Sequence, residues 1–166
     1  FLRLATQDDL HQILLITNKA VQYLKQQNID QWQYGYPSKE IFLADIAKKQ
    51  LFVALIDDKV VSMICLSKAP EESYKQITWK QAIENYGVIH RFAVAPEYKG
   101  KISSKIIEML KQLAKSQNLR SIRTDTHQKN IAMQKLMQKC GFEKMGIIQL
   151  DCPGDRERIC LECELL

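Results

Sequence analysis

No stretch of the chain approaches the roughly 18 consecutive apolar residues that a membrane-spanning helix needs, so a bilayer span is not expected. Internal repeats, low-complexity tracts and linker-like segments are also missing, which excludes solenoids and an evident two-domain split. The N-terminus as given shows no secretory leader. Glycine is scarce, six in 166 residues. Neither GxGxxG nor GxxxxGK[ST] occurs, so the familiar nucleotide-binding loops are absent. No RNA-binding signature, zinc finger or helix-turn-helix is found. A nucleic-acid module has only the net charge of +5 in its favour. That modest basic excess suits a soluble surface or an anionic ligand better.

What is present is ordinary for a globular protein: 46% hydrophobic and 26% charged residues over a length that predicts one domain spanning 1–166. The five cysteines are odd in number and sit in strand-like or helical contexts. Free thiols in a reducing cytoplasm are therefore expected. Cys160 and Cys163 form a CxxC, but "CLEC" alternates like a strand and has no second pair. No metal site is expected there.

Hydrophobic periodicity organises the chain. "FLRLA" opens as a short strand. Leu10, Ile13, Leu14, Thr17, Val21 and Leu24 then recur at helical spacing, behind Thr6, Asp8 and Asp9 as start signals. An aromatic loop, "NIDQWQYGYPSKE", ends in Pro37, and Ser38 can cap a second helix. "LFVALIDDKVVSMICLSK" predicts a hairpin turning at Asp57-Asp58. "APEESYKQITWKQAIEN" is polar and helical in tone. "YGVIHRFAVAP" is a strand stopped by Pro96, followed by a loop and a long helix. "LRSIRTDT" is a strand, "NIAMQKLMQKCGF" a helix stopped by Gly141, and the chain closes on two strands around "DCPGD". The order β-α-α-β-β-(α)-β-α-β-α-β-β predicts an α/β (α+β) fold with a mixed, mostly antiparallel twisted sheet and helices on both faces. Its central β-α-β, Tyr86 to Thr126, should pair its strands in parallel.

The loop "YKGKISS" stands where the long helix begins. Helix starts carry unpaired N–H groups and partial positive charge. Gly100 allows close backbone approach, Lys99 and Lys101 add charge, and Ser103 and Ser104 add hydroxyls. Together these favour a phosphate or pyrophosphate. The competing reading is a plain capped helix with a solvated lysine face.

The element order, "HRFAVAPEYKGK" and "NIAMQKLMQKCGF" resemble the GNAT superfamily of acetyl-CoA-dependent N-acetyltransferases. The resemblance covers nearly the whole chain and is most specific from Val88 to Phe142. It implies that coenzyme A binds along the strand "VIHRFAV" and the loop after it. The backbone of Phe92, Ala93 and Val94 would pair with the pantetheine arm. Lys99, Gly100, Lys101, Ile102, Ser103 and Ser104 would hold the pyrophosphate. The family loop reads Gln/Arg-x-x-Gly-x-Gly/Ala; Lys99 fills the basic position, but the second glycine is missing and Ser103 stands for the last small residue. Asn130 fits the asparagine placed near pantetheine and can also cap its helix. The tyrosine that many members use to protonate the leaving thiolate is Met137 here.

Acetyl transfer needs a base for the amine and a donor for the developing oxyanion. His90 is the best-placed titratable group on its strand, with Glu84 as runner-up. On strand alternation Val88, His90 and Phe92 share one face, and Ile89, Arg91 and Ala93 the other. Arg91 is a candidate for a substrate carboxylate and Asp125 for a cationic amine. Trp32, Tyr34 and Tyr36 are candidates for the acceptor pocket, and Trp79 is an ambiguous aromatic. The expectation is an N-acetyltransferase acting by direct attack on a primary amine, small or peptidic. It would need no nucleic acid or membrane, and its terminal hairpin could pair two subunits. The alternative is a degenerate acyl-CoA-binding sensor.

Overall fold

A computed structural model of the chain describes residues 1–81 and 85–166. Seven strands form one sheet: β1 (Leu2–Leu4), β2 (Leu51–Ile56), β3 (Lys59–Ser67), β4 (Tyr86–Val94), β5 (Ser121–His127), β6 (Glu143–Gln149) and β7 (Glu157–Glu164). Four helices cover it: α1 (Leu10–Gln26), α2 (Lys39–Ala47), α3 (Ser103–Ser116) and α4 (Ile131–Lys139). The strand order is β1-β2-β3-β4-β5-β7-β6. Every pair is antiparallel except β4 with β5, the parallel crossover the sequence predicts. The mixed α/β fold is thus as expected. The terminal hairpin is rearranged in one respect: β7 lies inside the sheet between β5 and β6, so of those two strands only β6 has a free edge.

Alternating side chains divide the core by sheet face. One face packs Phe52, Ile64, Ile89 and Phe92 against Ile106, Ile107 and Leu110 of α3. The other packs Val53, Met63 and Ala93 against Ile13 and Ile16 of α1 and Phe42 of α2. Each fully buried Ile or Leu is worth about 1.5–3 kcal/mol, so α3 is held chiefly by its apolar stripe. The helix starts follow their sequence signals: Ser38 Oγ accepts from Ile41 N and Asn130 Oδ1 from Met133 N. At α1, Asp9 accepts from Thr6 N at 2.8 Å and from both Nη atoms of Arg3, which hold its carboxyl below the usual range.

One expected helix is not found among the described residues. The described residues between β3 and β4 hold a 3-10 turn at Glu72–Gln76. Tyr74 and Trp79 are buried there with Val88, Ile148 and Cys160, and Trp79 Nε1 donates to the Tyr74 carbonyl at 2.8 Å. The indole takes the acceptor a helix would have used. Trp79 also carries the Arg123 guanidinium over its ring, so it is a core residue and not part of an acceptor pocket. Cys160 and Cys163 point to opposite faces of β7, Cys163 into the α3 core and Cys160 into the Tyr74–Trp79 cluster, which separates the two thiols of the CxxC.

Candidate active site

A bulge in β4 breaks the strict alternation read from the sequence. His90 faces Cys65 and Ala93 faces Met63, so two residues of β4, Arg91 and Phe92, oppose the single Ile64 of β3. Arg91 takes the left-handed conformation, φ 48°, rare for a side chain of its size. The face assignment is therefore corrected. Phe92 joins Ile89 over α3, while Arg91 swings toward α2. On the other side, β5 stays paired with β4 only from Tyr86 to Val88. Past that point the two strands separate, and a cleft of about 1220 Å³ opens between them.

One end of the cleft is the start of α3. Ile102, at the N-cap, offers no side-chain cap, and the first intrahelical bond to it comes from Ile106 N. The amides of Ser103, Ser104 and Lys105 have no partner among the described residues. Gly100 has φ +80°, and a Cβ added there would meet nothing within 4 Å. Lys99, Gly100 and Ser103 line the cleft; Lys101 is exposed beside it. Lys99 Nζ lies 3.2 Å from the centroid of the Tyr23 ring, which ties the loop to α1. Ile102 instead packs on the core. Three free amides, a positive helix end and empty space at a glycine fit an anionic diphosphate. Asn130 lines the cleft nearby; its Oδ1 caps α4 while its Nδ2 donates to Gln31 Oε1 at 3.3 Å. Met137, 1% exposed, forms part of the floor.

The other end carries the charged groups. Arg91 is gripped by Asp45 of α2, with Nε–Oδ2 2.6 Å and Nη2–Oδ1 2.9 Å, and its Nη1 donates to the Tyr36 hydroxyl at 2.7 Å. Burial works to lower the Arg91 pKa, but Tyr36 and the hydrogen bond to Asp45 outweigh it and raise the value. Arg91 is therefore held by Asp45 and Tyr36 while still lining the cleft. Tyr36 lies at the same site through that bond, and Trp32 lines the cleft while packing on the core beneath α1. His90, its side chain 22% exposed, has its pKa pushed down to about 4 by burial and then by Arg91. It is neutral at neutral pH. Its Nε2 lies 3.9 Å from a Glu71 carboxylate oxygen. Asp125, across the cleft on β5, accepts from the Tyr74 hydroxyl at 2.7 Å, and burial raises its pKa. Glu84, the other candidate base, lies outside the described residues.

Glu71 and Asp45 were not singled out in the sequence. Each belongs to a segment without a motif, 19 residues from His90 in one case and 46 from Arg91 in the other. The only available signal was that β3 runs antiparallel to β4, which returns the chain after Ser67 toward the start of β4.

Residues 18–142 match the model of the acetyltransferase (GNAT) family. The chain belongs to that family, whose members carry out acetyl-CoA-dependent acetylation, and it is an acetyltransferase. It is similar over 99% of its length to a GNAT-family acetyltransferase from Streptococcus agalactiae 2603, with 25% identity, 94% of that chain covered and a TM-score of 0.88. A proposed acetyltransferase from Staphylococcus aureus Mu50 is 30% identical over 100% of this chain and 99% of that one, with a TM-score of 0.77. The fold is also that of a proposed acetyltransferase from Salmonella typhimurium crystallised with acetyl-CoA, at 15% identity, 100% and 94% coverage and a TM-score of 0.75. Among curated proteins, none matches.

Proposed function

We propose that the chain acetylates a primary amine by direct attack in a ternary complex, with the cofactor held between the α3 start and the β4–β5 opening. The observation that carries this reading is the alignment, in one cleft, of the unpartnered amides of Ser103–Lys105 with the His90–Glu71 pair beyond the β4 bulge. Acetyl-CoA supplies the acetyl group as an activated thioester. The amides of Ser103, Ser104 and Lys105, with Lys99, Gly100 and Lys101, bind its diphosphate. Phe92, Ala93 and Val94 offer backbone groups to its arm, and Asn130 an amide. The bulge turns backbone of β4 away from its neighbours, where a free N–H serves a developing oxyanion.

An amine enters as a cation and must lose a proton before it attacks. Neutral His90 presents a lone pair, directly or through water, and Glu71 beside Nε2 takes up the charge that results. No sulfur is equipped to carry the acetyl group. Cys65 is pushed up to about 12 by burial. Cys152 lines the cleft, but among the described residues its Sγ meets only the Asp155 carbonyl, at 3.7 Å. The five cysteines, all free, support a reducing, cytoplasmic setting. The continuous sheet supports one domain over 1–166, and the edge strand β6 is the surface on which two copies would pair.

A second reading, cofactor binding without turnover, is favoured by Met137 where a tyrosine acid would stand. Thermal shift with coenzyme A and thiol release from acetyl-CoA with an amine panel separate the two. Transfer predicts both a raised melting temperature and amine-dependent thiol release. Glu71→Gln should then lower kcat by roughly 100-fold with cofactor binding kept. A melting shift without release from any amine would leave only the binding reading.

A further inference from the structure

Among the described residues that line the cleft, one buried cation is not paired with a carboxylate. Arg158, on β7, is 5% exposed and lines the cleft. Its Nη1 is fixed by the carbonyls of Asp155 and Glu157 at 2.7 and 2.9 Å. Its Nε and Nη2 have no protein partner among the described residues, and no carboxylate lies within 4 Å. A buried guanidinium with one edge anchored and the other open is an oriented fork for a planar anion. The open nitrogens are not sealed from solvent, so this edge faces the cleft, where a ligand group can reach it. The register places it beside Asp125: β5 and β7 pair Asp125 with Cys160 and His127 with Arg158, and all four side chains share one face. Arg158 acts on the Asp125 carboxyl electrostatically, yet the two do not form an ion pair.

We infer that the acceptor is a small amine bearing its own carboxylate, an amino acid or close analogue, with the carboxylate on the free edge of Arg158 and the amine between Asp125 and the His90–Glu71 pair. This rests on the transferase reading above. The commitment of Arg91 to Asp45 leaves Arg158 as the guanidinium that can serve. A diamine would set a second cation against Arg158 and is disfavoured by charge. A peptide N-terminus replaces the carboxylate by an amide and loses the charge-assisted fork.

The test is a set of matched acceptors on the full chain: free amino acids, the same amino acids as carboxamides, simple diamines and short peptides. Acetyl-CoA-dependent thiol release is the readout. Free amino acids should exceed their carboxamides in kcat/KM by roughly 10- to 100-fold. Arg158→Gln should abolish that ratio through KM, with the coenzyme A melting shift retained. Equal or better use of carboxamides, diamines or peptides would overturn the inference, as would a folded Arg158→Gln that keeps the preference. Wild-type discrimination needs no variant, so misfolding of Arg158→Gln does not spoil the test. If coenzyme A binds and only diamines or peptides react, the transferase reading stands and this one falls. If nothing turns over, calorimetry with an amino acid against its carboxamide decides, and failure to prefer the acid overturns the assignment.

Discussion

Asp45→Asn is the most informative single change. Arg91 is held at φ 48°, a conformation that costs a residue with a Cβ about 1–2 kcal/mol. Its guanidinium, 11% exposed, meets an Asp45 carboxylate that is 4% exposed in two short bonds. Breaking one half of such a buried pair costs about 3–5 kcal/mol, because the remaining charge stays buried without compensation. Arginine cannot escape by losing its proton. Asparagine keeps one acceptor, so the loss should fall near the lower limit, about 3 kcal/mol. That is a large part of the roughly 5–15 kcal/mol by which domains of this kind are stable. Urea unfolding should show a lowered midpoint at unchanged slope. The double change Asp45→Leu with Arg91→Met removes both charges and should recover most of the loss, giving a coupling energy of about 2 kcal/mol or more. A single Asp45→Asn variant within about 0.5 kcal/mol of the wild type would refute the view that this pair clamps the bulge.

His90 gives a pH dependence with a definite sign. Its pKa falls from 6.5 unfolded to about 4 folded, so between those values the unfolded chain binds more protons. Stability is unaffected by this group above pH 6.5 and is lost as pH falls toward 4, by about 3 kcal/mol at 1.36 kcal/mol per unit. Denaturation at pH 7 and pH 4.5 should show the wild type losing more than His90→Gln; parallel losses would contradict it. Gly100→Ala should cost about 1 kcal/mol of stability from its positive φ and weaken coenzyme A binding far more, because its methyl enters the space left for the ligand. Unchanged coenzyme A affinity by calorimetry would remove the α3 start as the diphosphate site.

The amino-acid order alone determined most of the framework: the strands, the four long helices, the parallel β4–β5 pair and the helix start at Ser103 are carried by local periodicity, caps and turn residues. It also marked Lys99 to Ser104, His90 and Asp125, because a helix start and a strand end are local features. The third dimension decided the rest. In the described part of the segment that begins at Ala69, the helical tone gave way to burial of Tyr74 and Trp79, since packing overrides a polar segment's weak propensity. The bulge reversed the sides of Arg91 and Phe92, because an extra residue in one strand is defined only by the strand it faces. Asp45 binds Arg91 while Arg158 keeps an open edge in the cleft, through contacts between residues far apart in the chain. Periodicity reports which face a side chain is given; only the folded sheet determines which charges meet there and which are left open.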